Sequence, residues 1–249
     1  VFDNKITFEA EEPFYSDIKT RPQPAKIFIP DWFKKLNNYM REGDSGSWTI
    51  KMCMPFLDSM SIGYILKMPH DYEINNMQLN PHYPDLPKGL WVKSVDFPPI
   101  GNGVTSREDN HDIGQVGGEE GGCPFVKQNS NQPFLKLMNP WLIKLPKGYS
   151  ALFVPPINNE HPDFYPISGV VDCDIFPSQI NFPIVLKTEK RILIKKGDPI
   201  VTVIPFKRES WKSEFKKVTK DNMLLKHWAI KSHLEKGYRL IWRAKKRWT

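Results

Sequence analysis

Between Leu145 and Phe206 the chain is a succession of short apolar runs, each closed by Pro or Gly before it reaches the length of a helix. Tyr149-Ser150-Ala151-Leu152-Phe153-Val154 lies between Gly148 and Pro155-Pro156. Ile180-Asn181-Phe182-Pro183-Ile184-Val185-Leu186 is a β-branched run, and the Pro inside it predicts an edge strand or a bulge. Ile192-Leu193-Ile194 and Ile200 to Phe206 flank Lys195-Lys196-Gly197-Asp198, residue types that reverse a chain. Runs this short, rich in β-branched and aromatic residues and closely spaced, predict a mainly β fold. Phe153, Val170, Ile184, Ile194, Ile200 and Ile204 are the expected buried positions.

A length of 249 residues suits one β domain with insertions, or one domain with a helical appendage. Hydrophobic residues make up 40%, with 8 Trp and 15 Phe, enough to fill a core, while 23 Pro argue against a helical bundle. No apolar run is long enough for a transmembrane helix, so no membrane partner is expected. Val1 to Lys5 has no charged-then-apolar leader layout. Cys53, Cys123 and Cys173 share no close spacing, which predicts free thiols in a reducing compartment rather than disulfides or a zinc site. No cofactor is expected.

The organisation reads in three parts. Residues 1–46 form an extended N-terminal arm with a short helix, in which Asp31 is the expected cap and Trp32, Phe33 and Leu36 share a face. Residues 47–206 form the β core, starting with strand, turn, strand from Trp48 to Leu66 and carrying a loop insertion at about 69–133. Within that insertion the Gly114–Gly122 tract lacks the Lys and Ser or Thr of a phosphate cradle, and Glu119-Glu120 would repel phosphate. Residues 207–249 form a basic helical extension, with Trp211, Phe215 and Val218, then Leu224, Leu225, Trp228 and Ile230, at helical spacing, and a break at Gly237. The net charge of +7 belongs to this extension, which holds 14 Lys and Arg against 4 Asp and Glu.

Three motifs in order carry a resemblance. Leu145-Pro146-Lys147-Gly148-Tyr149 opens a strand ending at Pro155, Gly169-Val170-Val171-Asp172-Cys173-Asp174 follows, and Lys196-Gly197-Asp198-Pro199-Ile200 opens the last strand. This order resembles the dUTPase and dCTP-deaminase group of β-clip proteins, and Ser61-Ile62-Gly63-Tyr64-Ile65 is similar to the group's early Ala-Gly-Tyr-Asp-Leu motif. The resemblance implies a dUTPase-like β-clip core and a homo-oligomer, a trimer by analogy. It also implies that Asp172 stands where the group orients its attacking water. The group's metal-side Asp is Ile65 here, its phosphate-binding Arg-Ser falls within Pro155-Pro156-Ile157-Asn158, and its late Gln is Thr202. The aromatic residue that stacks on deoxyribose is replaced by Ile175, with Phe176 one later, and the arm that covers the phosphates has no counterpart.

Over nearly its whole length the chain also resembles a family of marine phage and bacterial proteins. Ile29–Leu36, Met54–Asp58, Asn139–Lys144 and Ile204–Arg208 carry that likeness. Together these resemblances imply a phage-encoded, non-catalytic protein that acts by binding, in a virion or its assembly, with virion proteins among its partners and the host cytoplasm or virion as its location. The alternative is a nucleotide hydrolase with altered chemistry that uses Asp172 as base. Asp172 and Asp174 also fit residues that merely hold a tight turn.

Two further candidates remain. His161-Pro162-Asp163 fits the His-x-Asp half of an iron facial triad, with His227 or His233 as third ligand, which would make an iron oxygenase; a turn is the plainer reading. Arg243, Lys245, Lys246 and Arg247, interleaved with Trp242 and Trp248, fit either nucleic-acid binding or docking on an acidic neighbouring subunit. His70-Asp71 and His111-Asp112 are expected to be solvated.

Overall fold

The computed structural model describes residues 4–41, 47–75, 91–94, 104–105, 135–188, 191–218, 238–239, 243–244 and 246–249. The Gly114–Gly122 tract, His111, Asp112, Cys123, Leu224, Leu225, Trp228, Ile230 and Gly237 lie outside the described residues. The chain is mainly β. Its early strands are β1 (Thr7–Glu9), β2 (Gln23–Pro24), β3 (Tyr64–Lys67), β4 (Tyr72–Asn75), β5 (Trp91–Ser94) and β6 (Val104–Thr105). The later ones are β7 (Leu135–Leu137), β8 (Leu142–Lys144), β9 (Tyr149–Val154), β10 (Phe164–Pro166) and β11 (Gly169–Val171). β12 (Phe182–Leu186), β13 (Ile192–Ile194) and β14 (Pro199–Lys207) complete the series. Two short helices, α1 (Asp31–Lys35) and α2 (Met54–Ser61), stand between β2 and β3. The chain divides into two compact units, residues 1–23 with 63–207, and residues 24–62 with 208–249.

The first unit is built on a sheet ordered β11-β9-β14-β3-β2, beside sheets ordered β10-β12-β7-β6 and β13-β4-β5 and the pair β1-β8. Alternation decides which residues it buries. Ala151, Phe153, Val203 and Leu66 share one face and are buried in the main cluster with Leu137, Phe164, Phe182, Ile184, Ile194 and Ile200. Phe153 meets Phe182 with ring centroids 5.5 Å apart. The opposite face holds Val170, Leu152 and Ile204 in one row. This parity corrects two burial expectations: Val170 is 58% exposed and Ile204 is only half-buried.

Turn chemistry fixes the registers. At Lys195-Lys196-Gly197-Asp198 the Asp198 N–H donates to Lys195 O and the Asp198 carboxylate accepts from Lys195 N–H. Asn139 holds the link from β7 to β8 through both ends of its amide, donating to Trp141 O and accepting from Trp141 N–H. β12 is not an edge strand, as its Pro predicted, because it lies between β10 and β7. Pro183 O accepts the Ile167 N–H at 2.8 Å just beyond the end of β10, so the strand stays linked to its neighbour through its carbonyl although it has no N–H to donate. The expected loop insertion also contains β4, β5 and β6. His70 and Asp71 are engaged rather than solvated: His70 packs edge-on against Phe14, and Asp71 accepts the Lys196 N–H.

The N-terminal segment is tied down by a buried cation. Lys67 is 5% exposed, and its ammonium donates to Ile18 O and Gln23 Oε1. Burial pushes its pKa below the ordinary lysine value, and nearby Asp17 partly opposes this.

The second unit corrects the strand, turn, strand reading of Trp48 to Leu66. Met54–Ser61 is helical, with Pro55 in its first turn, where the missing N–H has no partner to lose. Ser59 and Ser61 hydroxyls donate back to Phe56 O and Leu57 O. α1 begins at Asp31, so Pro30 is the cap position, and no side chain caps it. Phe33 and Trp32 both pack against Phe56, with ring centroids 5.7 and 6.3 Å away, but Phe33 is buried whereas Trp32 is 50% exposed. Residues 208–218 carry no helix, and Trp211 and Phe215 are almost fully exposed. A helix of that length needs a surface against which to bury its apolar stripe.

Candidate functional site

The segments that carry the β-clip resemblance are neighbours in one sheet. β11 pairs with β9, β9 with β14, and β14 with β3. Thr202 lies opposite Val154 on one side and Ile65 on the other. Ile65 is 2% exposed and Thr202 is 1% exposed, and the Thr202 hydroxyl has no hydrogen-bond partner among the described residues. On from β9, Pro156 closes a turn by accepting the Asn159 N–H, with Asn158 in the left-handed region at φ 56°.

Gly63 belongs to this geometry. Its φ is +76°, and a Cβ there would collide with the carbonyl oxygen of Val203. The close approach of β3 to β14 thus requires the missing side chain.

Asp172 and Asp174 are brought together with the turn that precedes β9. The Ser150 hydroxyl, on a buried residue, donates to Asp172 Oδ1 at 2.6 Å. The Gly148 N–H donates to Asp174 Oδ2 at 2.8 Å. The Asp172 carbonyl accepts from the N–H groups of Ile175 and Phe176. Asp172 thus fastens the turn after β11 to the start of β9, and Asp174 fastens it to the turn before that strand. Between them, burial raises the Cys173 thiol to about 11, which keeps it protonated at neutral pH. Cys53 and Cys173 are both free thiols.

Among the described residues β11 is the outer strand of its sheet, and several apolar side chains on it and in the turn after it are exposed. Val170, Ile175, Phe176 and Phe206 are 58, 74, 42 and 40% exposed. Phe206 stands opposite Ser150, whose hydroxyl reaches Asp172.

His161 and Asp163 come together in a turn. His161 Nδ1 accepts the Asp163 N–H at 3.2 Å, and the ring stacks on Phe164 with centroids 4.2 Å apart. Burial pushes the imidazole pKa below its ordinary value, and Asp163 opposes that shift. One ring nitrogen is therefore already engaged by backbone. His227 and His233 lie outside the described residues, among which no three His, Cys, Asp or Glu are grouped to hold a metal ion.

Part of the basic tail is committed within its own unit. The Arg243 guanidinium donates to Asp58 Oδ1 and Oδ2, and Lys246 Nζ reaches Asp58 Oδ2 at 2.7 Å. The Arg243 hydrogen bonds, reinforced by Lys246, hold the Asp58 pKa below the ordinary carboxylate value. Lys26 Nζ donates to Trp248 O at 2.8 Å. Sequence reasoning missed Asp58 and Lys26. Asp58 had a signal, as the single acidic residue of α2, but nothing local tied it to residues 185 and 188 positions later. Trp242 and Lys245 lie outside the described residues. No protein-family model and no curated protein matches the sequence.

Proposed function

We propose that the chain is a non-catalytic β-clip protein that assembles as a homo-oligomer of three copies and works by binding, in a virion or in its assembly. One observation carries this reading. The motif segments are adjacent in one sheet, yet the positions from which the dUTPase group acts on phosphates hold Ile65, Thr202, Pro156 and Ile157. Phosphoryl transfer depends on positioned cations and metal ligands around the phosphates. A buried Ile and an enclosed hydroxyl supply neither. Asp172, which the hydrolase reading needs as base, accepts from the Ser150 hydroxyl, and Asp174 accepts from the Gly148 N–H.

Association is supported by the outer strand β11 with its exposed Val170, Ile175, Phe176 and Phe206, since an open strand edge beside apolar side chains favours pairing with another chain. The virion role follows the occurrence of β-clip folds among head decoration proteins, an analogy of fold. Native mass spectrometry tests the assembly. The expected result is three times the chain mass, falling to one chain for Val170→Lys, a substitution at an exposed side chain that leaves the core intact. A monomeric wild-type protein at micromolar concentration overturns the reading.

A further inference from the structure

A pocket of about 280 Å³ in the helical unit is lined by Lys26, Asp58, Ser61, Arg243, Lys246, Arg247, Trp248 and Thr249. Four cationic side chains face one carboxylate, a surplus of three positive charges.

The cations are of two kinds. Asp58 fixes Arg243 and Lys246 in position through short charge-assisted hydrogen bonds. Lys26 and Arg247 make no ion pair among the described residues, and both are exposed. Lys26 spends one of its three donors on Trp248 O and keeps two. A concave surface with surplus cations, two of them held by a partly buried carboxylate, has the charge and the donors that a phosphate dianion requires. Its volume lies near the lower end of the range for small-ligand sites, which excludes a duplex and suits a small molecule.

We propose that this pocket binds a phosphomonoester of a small metabolite, with the phosphate between Lys26 and Arg247 and in the field of Arg243 and Lys246. Asp58 is both the anchor of the site and its built-in competing anion. The inference goes beyond the reading of the β core and shares no residue with it.

Isothermal titration of the full chain at low salt tests it, with adenosine monophosphate and ribose 5-phosphate as separate probes and an oligo-dT strand as comparator. Saturable binding of either phosphomonoester at one site per chain is expected, and the stronger probe identifies whether the ligand carries a base. Arg247→Gln, at an exposed side chain without an ion pair, should weaken binding about tenfold, and Lys26→Gln with Arg247→Gln should abolish it. Asp58→Asn should tighten binding severalfold, provided its far-ultraviolet circular dichroism matches the wild type. Failure of both phosphomonoesters to bind at millimolar concentration overturns the proposal. So does binding indifferent to Arg247→Gln. Binding of oligo-dT alone, with a salt slope of about −0.7 per phosphate, also overturns it and makes the site a nucleic-acid contact. Each of these outcomes leaves the non-catalytic reading of the β core untouched.

Discussion

Gly63→Ala probes the packing on which the β-clip resemblance depends. Two costs add at this position. A non-glycine residue at φ +76° costs roughly 1–2 kcal/mol. The new methyl would also strike the Val203 carbonyl oxygen and lie 3.2 Å from Ile204 Cγ1. That carbonyl belongs to β14, where Val203 pairs with Tyr64, so it retreats only by breaking the ladder. A lost buried backbone hydrogen bond adds about 1–3 kcal/mol. The total expected is about 2–5 kcal/mol. Gly148→Ala is the control, because Gly148 has φ +86° but nothing within 4 Å of its would-be Cβ, and alanine keeps the N–H that Asp174 accepts. It should cost only about 1–2 kcal/mol, the conformational part alone. Urea unfolding followed by circular dichroism reads both, with unchanged slopes and shifted midpoints as the sign of altered stability. Equal destabilisation of the two variants, within about 0.5 kcal/mol, would refute the close approach of β3 to β14.

Two further expectations follow from buried polar groups. Thr202→Val removes a hydroxyl that has no partner among the described residues, so it should be neutral or stabilise by up to about 1 kcal/mol in the same urea assay; a loss of several kcal/mol would mean that the hydroxyl is engaged. Asp58 has a folded pKa below its ordinary 3.8, so its stabilisation is complete above that value and disappears as pH falls through the lower folded one. A thermal melting series from pH 5 to pH 2 should therefore fall more steeply below 3.8 for the wild type than for Asp58→Asn, and parallel curves would contradict the Arg243–Asp58–Lys246 cluster.

Much of the β core was legible because its signals are local. Tyr149–Val154, Ile192–Ile194 and the strand from Pro199 to Lys207 are apolar runs punctuated by Pro or Gly; Ile192–Ile194 alternates in burial, while Ile200 to Val203 is buried throughout. Burial of Val170 and Ile204 was not legible, because a β-branched residue in a strand reads the same on either face, and only the pairing with Leu152 assigns the face. The helix at Met54–Ser61 was hidden for another reason: Pro55 reads as a breaker in a sequence but is harmless in a first turn. For residues 208–218 the helical spacing of Trp211, Phe215 and Val218 was present, yet the described chain there is without a helix and those side chains are exposed. Spacing records a potential face and says nothing of what would cover it. The candidate sites divide along the same line. Asp172 and Asp174 were found through a motif, and their turn-holding partners Ser150 and Gly148 stand 22 and 26 residues away across a hairpin-like pairing. The cluster of Arg243, Lys246 and Arg247 was legible as a basic run, but Asp58 and Lys26 join it only in three dimensions, so the pocket they complete had no sequence pattern.

Pyrophosphate release from dUTP, measured with magnesium present and at high protein concentration, tests the central claim most directly. On the proposed reading, with Ile65, Thr202, Pro156 and Ile157 where the resemblance puts the dUTPase group's working residues, and with Asp172 held by Ser150, the protein should release none above the uncatalysed background. Release that Asp172→Asn abolishes would contradict the account and make the chain a nucleotide hydrolase.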